Sequence, residues 1–150
     1  NYYPLAELHR MVIAVAMPEA VPPQQRFAIP ESDRAFLLQA MSLLPREYGS
    51  QQADNFRKFL FIGTGRRMPA NIRIHSKVGL SYGFVSDTAY ITNTKKNVEF
   101  FLSATIYTNE NGIINDGRYQ YDSLARPFME TLSRVVYEHE LRRARGGPSQ

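Results

Sequence analysis

One segment of the chain carries residue types that suit acyl transfer. It runs from Ile74 to Phe84 and contains the triplet Lys77-Val78-Gly79. A lysine brings a cation to a substrate carboxylate, and a glycine lets a substrate approach the backbone closely. Lys-x-Gly triplets are common, and a solvated lysine before a turn glycine is the ordinary case. The triplet alone therefore does not indicate a site, and the segments around it must be considered.

No nucleophile motif accompanies this triplet. A serine followed three positions later by a lysine would supply both a nucleophile and its base. No serine of the chain has a lysine at that position. The serines are Ser32, Ser42, Ser50, Ser76, Ser81, Ser86, Ser103, Ser123, Ser133 and Ser149. The chain has no cysteine, which excludes a thiolate nucleophile and a cysteine metal site.

Metal and nucleotide sites are not indicated by the sequence. His9, His75 and His139 lie far apart, without the spacing of a zinc pair. The segment from Asn109 to Gly117 has the composition of a calcium loop but lacks the ligand spacing of an EF-hand, so turns are the better interpretation. The glycines at 63 and 65 lack the ending of a phosphate loop and indicate the end of a helix. We expect no metal and no cofactor.

Composition places the chain among ordinary globular domains. Its 150 residues, 43% hydrophobic and 21% charged, suffice for one domain or a piece of one. No apolar run approaches the roughly 18 residues that a transmembrane helix needs. The net charge of +4 is compatible with an anionic partner, but the basic residues are scattered. We therefore interpret them as a solvated surface and do not expect nucleic-acid binding.

The first half of the chain predicts helices. Apolar residues at helical spacing from Leu5 to Val15 indicate a helix of about three turns, which ends before Pro18. A second helix, capped by Ser32 or Asp33, is closed by Pro45. Its predicted apolar face consists of Phe36, Leu37, Ala40, Met41 and Leu44.

Two further helical segments are predicted. A short one begins near Asp54, carries Phe56, Phe59 and Leu60, and ends at the turn that starts at Gly63. The last helix has Pro127 at its first position, where a missing N–H costs nothing. Its predicted apolar face consists of Phe128, Leu132, Val135, Val136 and His139.

Between these helices the hydrophobic period changes to two, which indicates strands. Alternation is clear at 72–77 and at 98–107, and 84–91 is also strand-like. The sequence thus predicts an α+β fold with N-terminal helices, a three-stranded antiparallel meander and a closing C-terminal helix. Such a sheet leaves one face and its edges uncovered, so either the N-terminal helices or a missing segment must cover them.

The order of these elements resembles the C-terminal half of the serine β-lactamase and penicillin-binding-protein family. Within this family, the sequence motifs most resemble those of the bacterial β-lactamase-like serine hydrolases. The segments that carry this resemblance are Glu7 to Met11, Met41 to Glu47, Lys77 to Phe84 and Asn109 to Asp116. They span nearly the whole chain. The resemblance implies that 1–145 is the C-terminal portion of a single β-lactamase/transpeptidase-like domain and that 146–150 is a disordered tail.

The resemblance implies a hydrolase that acts on amide or ester bonds, in β-lactams or acyl-peptides, through an acyl-enzyme. Lys77 is then a catalytic residue that binds the substrate carboxylate. The backbone N–H of Leu80 is an oxyanion-hole donor, and Val78, Gly79 and Ser81 also contact substrate. We expect the Ser-x-x-Lys nucleophile in a missing N-terminal part of the same domain. The 150 residues alone would then be inactive.

The chain departs from the family at two positions. Val78 replaces a hydroxyl-bearing residue and loses one hydrogen bond to a carboxylate, which makes another amide or ester a serious option as substrate. The segment from Pro4 to His9 resembles part of the loop that carries a water-activating Glu in many β-lactamases, but Leu5 aligns with that Glu. Glu7 is either a residue of this loop or a surface carboxylate. With Leu5 there, an acyl-enzyme would turn over slowly.

The alternative function is a non-catalytic binding or scaffold module on the same fold. The expected partner is a small-molecule or peptide acyl substrate, which the strand next to Lys77 would receive at its edge. We expect neither nucleic acid as a partner nor a transmembrane segment in this chain. The resemblance also implies an exported protein, either periplasmic, lipid-anchored or secreted.

Overall fold

The chain alternates between helical and extended segments in the predicted order. A computed structural model describes residues 3–145, and within them three α-helices accompany a three-stranded antiparallel sheet. These elements are α1 (Leu5–Ala16), α2 (Glu31–Ser42), β1 (Arg73–Ser81), β2 (Phe84–Asn93), β3 (Val98–Tyr107) and α3 (Arg126–Arg145). The predicted α+β class is confirmed. The tail expected at 146–150 lies outside the described residues.

The sheet is a meander in the order β1-β2-β3. Tyr82 and Gly83 join β1 to β2 and have φ values of 50° and 91°. Positive φ at both positions is what a two-residue type I′ turn requires, and this turn matches the twist of the strands that it joins. Ser81 and Phe84 are paired across the turn, which fixes the register of the whole hairpin. Because β2 is central, β1 has a free edge within the described residues.

The N-terminal helices cover one face of the sheet. His75, Tyr90 and Phe101 are aligned across the three strands and therefore share a face. The ring of His9, from α1, lies edge-on to the ring of Phe101, at 6.0 Å between centroids. His75 Nδ1 donates to the carbonyl of Leu38, from α2, at 2.9 Å. Of the two possibilities left open by the sequence, the N-terminal helices thus cover this face.

The opposite face packs against α3 and against a buried run of four apolar residues, 59–62. This run is not helical, and the helical piece predicted from Asp54 is only a 3₁₀ turn, Asp54–Phe56. The prediction was wrong because all four side chains are buried, whereas a helix on a domain surface buries only one face. The backbone N–H groups of Phe59, Leu60 and Phe61 bond to side chains instead.

The buried face of α3 differs from the predicted one. Phe128 and Val135 are 43% and 61% exposed, and His139 is also exposed. The fully buried residues of α3 are Met129, Glu130 and Ser133, and the buried Ala125 directly precedes the helix. Leu132 is the member of the predicted face that does pack against the core. Two polar residues point inward because the irregular backbone beside α3 needs acceptors: Ser133 Oγ accepts from the N–H of Phe61 at 2.8 Å, and Glu130 Oε2 accepts from that of Thr64 at 2.9 Å.

The boundaries of α1 are as predicted, whereas the cap and apolar face predicted for α2 were wrong. Pro30 occupies the cap position and no side chain caps the helix, so the predicted caps at 32 and 33 lie within its first turn. The helix ends at Ser42, because Leu43 is already extended. Phe36 is 67% exposed and no α2 residue is fully buried. Of the predicted face, Leu44 does join the core, but it lies beyond the end of the helix. The physical reason is that α2 packs mainly against β1 and to a lesser extent against α1, so most of its surface stays exposed.

We expect Gly63→Ala to lower the free energy of unfolding by about 3 kcal/mol, measured by urea denaturation. A Cβ at this position would lie 2.5 Å from the carbonyl oxygen of Arg126 and 2.7 Å from that of Phe59, and neither backbone atom can move alone. Gly79→Ala is the control, because its Cβ would meet nothing closer than 3.9 Å. Equal urea midpoints for the two variants would contradict this account of the α3 contact.

Candidate functional site at the free edge of β1

A groove of about 420 Å³ runs along the free edge of β1. Its volume falls within the roughly 300–1,000 Å³ typical of small-molecule sites. Three stretches form its walls: the end of α2 at 40–43, the segment 56–59, and β1 from Ser76 to Leu80. Arg126, at the start of α3, completes the lining. Stretches that are distant in sequence thus converge here.

The outer edge of β1 presents to this groove backbone groups that no other strand pairs. Ser81 and Phe84 close a two-residue hairpin, so they exchange hydrogen bonds with each other. Hydrogen-bonded and non-hydrogen-bonded pairs alternate along an antiparallel ladder. The N–H and C=O groups of Leu80, Val78 and Ser76 therefore point away from β2, and all three residues line the groove. A free edge of this kind can pair with an extended ligand.

The structure places three of the five site residues predicted on β1 in the groove. Lys77, Val78 and Leu80 line the groove. Lys77 is exposed, and its Nζ donates to the carbonyl of Val78 at 2.8 Å, so the ammonium lies at the strand edge. Gly79 and Ser81 belong to the same strand and are exposed, but they do not line the groove. The strand therefore offers a cation beside a row of backbone donors and acceptors.

Glu7 is not brought to this groove. It lies on α1, which packs on β2 and β3, and it forms an exposed ion pair with Arg10. Leu5 belongs to the same helix and is also absent from the groove lining. Within the described residues, no carboxylate of α1 lies in the groove. None is therefore placed to activate water against an acyl group bound at the backbone N–H of Leu80.

Lys58 is a residue of this site that the sequence analysis missed. Its side chain is buried, and Nζ donates to the carbonyl of Met41, near the end of α2, and to Ser76 Oγ, in β1. Burial lowers the pKa of Lys58 to about 8, and the negative charge of Asp87 opposes this shift. A single ammonium therefore links the three walls of the groove.

Asp87, in the middle of β2, is a second missed residue. Its side chain is completely buried, and Oδ2 accepts from the backbone N–H groups of Phe59 at 3.0 Å and Leu60 at 3.1 Å. Oδ1 has no hydrogen-bond partner among the described residues. Burial raises the pKa of Asp87 to about 6, although the two N–H groups and the charge of Lys58 favour the carboxylate.

The sequence did carry a signal for these two residues. Asp87 occupies an inward position in the alternation of Val85, Ala89 and Ile91, where an apolar residue is expected. A carboxylate at such a position needs donors or a cation from another element. Lys58 directly precedes a fully apolar run and was the available cation.

The groove is electropositive with partly apolar walls. Its basic lining residues are Arg57, Lys58, Lys77 and Arg126, and none of the residues that line it is acidic. Arg126 is partly neutralised, since it pairs with Asp122 at 2.9 Å and donates to the carbonyl of Asn55 at 3.0 Å. Leu43 and Phe56 supply apolar surface. This chemistry suits an anionic group attached to an apolar body.

The described residues hold no group of three or more His, Asp or Glu side chains positioned to bind a metal ion. His75 is half-buried, and burial lowers the pKa of its imidazole. His9 instead contacts Ser103 Oγ at 2.7 Å, which joins α1 to β3.

None of the helices within 3–145 is long and apolar enough to cross a membrane.

We expect the buried residues Asp87 and Lys58 to make the free energy of unfolding depend on pH in two separate ranges. Between pH 3.8 and about 6 the folded state keeps a proton on Asp87 that the unfolded state has lost, so this residue lowers stability as pH rises. Between about 8 and 10.5 the unfolded state keeps the Lys58 proton that the folded state has lost, so stability rises. Each effect amounts to about 3 kcal/mol.

Urea denaturation across these pH ranges tests both effects by difference. Asp87→Asn should remove the loss in the acid window, and Lys58→Met should remove the gain in the alkaline window. Lys95→Met is the control, because Lys95 lies in an exposed turn. If both variants kept the wild-type pH dependence, the shifted titrations of Lys58 and Asp87 would be contradicted.

Comparisons with known proteins identify no relative of this chain. A scan against protein-family models finds no match, and searches of curated proteins and of solved structures find none either. The four-segment resemblance to β-lactamase-like hydrolases therefore stays a prediction. The α+β architecture and the groove beside β1 stand on the structure itself.

Proposed function

We propose that this chain forms the substrate-binding side of a β-lactamase-like serine hydrolase. In this proposal the fold is β-lactamase/transpeptidase-like, and the Ser-x-x-Lys nucleophile comes from a part of the same domain outside the 150 residues. The observation that carries the proposal is the outward N–H of Leu80, in a groove that Lys77 also lines. A backbone N–H of this kind can stabilise the oxyanion that forms in acyl transfer to a serine, and a cation in the same groove can hold a substrate carboxylate.

The chemistry assigns a separate task to each group. The serine oxygen attacks the acyl carbon of an amide or ester, and the carbonyl oxygen becomes an oxyanion that accepts from the N–H of Leu80. The amine or alcohol leaves with a proton, which gives an acyl-enzyme that water then hydrolyses. Loss of one oxyanion donor typically lowers the rate by about 10²–10³. Lys77 holds the substrate carboxylate, which the net positive charge of the groove attracts.

Val78 directs the proposal towards acyl-peptides rather than penicillins. A valine offers no side-chain hydroxyl to a carboxylate. Its backbone N–H can pair with an extended peptide, and its C=O can do so once Lys77 Nζ turns from it to the substrate carboxylate. The proposed substrate is thus an acyl-peptide that adds as a strand to β1. Its carboxylate would lie near Lys77 and its apolar side chains near Phe56.

A non-catalytic binding module is the second candidate, and one observation favours it. No serine among the 150 residues has a lysine three positions later, so these residues bring no nucleophile of the expected type. The same free edge and the same cations would then bind an acyl-peptide without covalent chemistry.

Intact-mass spectrometry of the protein from its native source separates the two candidates. The protein is incubated with a fluorophosphonate and with a panel of β-lactams. We expect a mass above 17.2 kDa and a covalent adduct on a serine of a Ser-x-x-Lys segment. A native mass near 17.2 kDa with no adduct would overturn the hydrolase proposal and favour the binding module.

Substitutions at the edge of β1 test the roles of single residues in the full-length protein. Lys77→Ala should slow acylation about tenfold or more, because it removes the cation that orients the substrate carboxylate. Val78→Thr should speed acylation by β-lactams, because it restores a hydroxyl donor. Lys95→Ala, in an exposed turn, should leave the acylation rate unchanged. Unchanged acylation in Lys77→Ala would remove Lys77 from the mechanism.

A further inference from the structure

A hydroxyl and an amine that the proposed acyl transfer does not use meet at the groove. Lys58 Nζ lies 3.2 Å from Ser76 Oγ, and both residues line the groove. A nucleophilic serine needs a base within hydrogen-bond reach, and some serine hydrolases use a lysine as that base. The two residues are 18 positions apart, so no local motif marks them. The fold thus assembles the two parts of a nucleophile–base pair.

The surroundings of Lys58 are compatible with a neutral amine. Its side chain is buried, and Nζ donates to the carbonyl of Met41. A neutral amine keeps that bond and directs its lone pair at Ser76, whose hydroxyl then becomes the donor. Burial lowers the pKa of Lys58 to about 8, so about a tenth of this amine is already neutral at pH 7.

Asp87 supports the base from β2. It binds the N–H groups of Phe59 and Leu60, which anchors the backbone that follows Lys58. Burial lowers the pKa of Lys58, and the negative charge of Asp87 opposes this effect. The same charge stabilises the ammonium that forms when Lys58 takes a proton from a serine. A carboxylate has this role beside the base of a serine–histidine–aspartate triad.

The edge of β1 supplies a donor for the oxyanion. The backbone N–H of Ser76 points away from β2, so one residue offers both a nucleophile and an oxyanion donor. Ser76 is 8% exposed, which limits access to an acyl group without branches near its carbonyl. Met41 and Phe59 line the groove beside Ser76 and Lys58 and favour an apolar acyl chain.

We propose that Ser76 and Lys58 form an acyl-transfer centre of their own, in which Ser76 Oγ is the nucleophile, Lys58 is its general base, and the substrate is an ester of an unbranched apolar acid. This centre goes beyond the proposed function and does not rest on it. Both of its residues belong to the described chain, and no Ser-x-x-Lys segment takes part.

The reaction of such a centre has two stages. The hydroxyl proton of Ser76 passes to Lys58 Nζ while Oγ forms a bond to the acyl carbon. The bond from this carbon to the alcohol oxygen then breaks, and the alcohol leaves with the proton from Lys58. Water hydrolyses the ester on Ser76, so one ester and one water give one acid and one alcohol.

Peptide mapping of the full-length protein tests the nucleophile. The probe is a fluorophosphonate with a linear alkyl chain, whose phosphorus bonds to a serine oxygen as fluoride leaves. Trypsin cuts after Arg73 and Lys77, so the peptide 74–77 contains one serine. We expect an adduct on this peptide that Ser76→Ala abolishes. Ser81→Ala is the control, because Ser81 lies on the same strand outside the groove lining. No adduct on 74–77 between pH 6 and 9.5 would overturn the proposal.

Lys58→Arg tests the base. An arginine keeps the positive charge and can donate to Met41 but cannot take a proton from serine, so labelling of Ser76 should slow by about 10² or more. Lys95→Arg, in an exposed turn, should label at the wild-type rate. Wild-type labelling of Ser76 in Lys58→Arg would overturn the role of Lys58.

The pH profile of the wild type decides the same point if Lys58→Arg does not fold. The labelling rate of Ser76 should rise about tenfold per pH unit below 8 and become constant above it, once Lys58 is neutral. A rate that is constant from pH 6 to 8, or that rises without a plateau, would contradict Lys58 as the base.

The charged groups around Lys58 set the midpoint of this profile together with burial. Burial has the largest effect and lowers the pKa of Lys58; Asp87 and Glu47 raise it, and Arg57 lowers it further. On β1, burial lowers the pKa of His75, and the charge of Lys58 adds to this effect. The other cations that line the groove are Lys77 and Arg126.

The same map separates this centre from the proposed hydrolase. An adduct on the serine of a Ser-x-x-Lys segment tests the hydrolase, whereas an adduct on 74–77 tests the pair of Ser76 and Lys58. Replacement of the Ser-x-x-Lys serine by alanine should leave the labelling of Ser76 unchanged. If the adduct on 74–77 disappeared in that variant, an independent centre at Ser76 would be refuted.

Discussion

The carboxylate of Asp87 is the constraint on which this architecture depends. The buried run at 59–62 has no helix or sheet to satisfy its backbone, and an unpaired buried N–H costs about as much as a lost hydrogen bond. Oδ2 of Asp87 binds two of these N–H groups. By doing so it fixes an irregular segment against the middle of the sheet. Core packing and the adjacent wall of the groove both follow from that placement.

The same requirement explains why polar residues face inward on α3. Ser133 accepts from the N–H of Phe61, and Glu130 accepts from that of Thr64. Side chains of α3 thus provide acceptors for backbone N–H groups that Asp87 does not reach. Glu130 is also paired with Arg134 and Arg66. Burial raises the pKa of its carboxyl, but the hydrogen bonds from Thr64 and the charges of these two arginines together hold it below the usual range. The core of this chain is therefore organised by side-chain acceptors as much as by apolar contact.

Local periodicity predicted the strands correctly, because a period of two along 72–77 and 98–107 is imposed by the pleat itself. It failed where contacts distant in sequence determine burial. The face of α3 was assigned to Phe128 and Val135, since no local pattern shows that Thr64 and Phe61 need acceptors. The β1 part of the site was predicted from the Lys-x-Gly triplet and the resemblance. Lys58 was missed because its importance depends on Asp87, which is distant in the chain.

The groove is bounded by stretches that lie far apart in the chain, from 40–43 to Arg126. A ligand that fills it therefore acts as a non-covalent cross-link between the end of α2, the segment 56–59, the sheet and the start of α3. Its binding free energy adds to that of folding as RT ln(1 + [L]/Kd), which is about 3 kcal/mol when the ligand is at a hundred times Kd. Occupancy of the groove thus appears as resistance to heat across the whole domain, whichever chemistry takes place there.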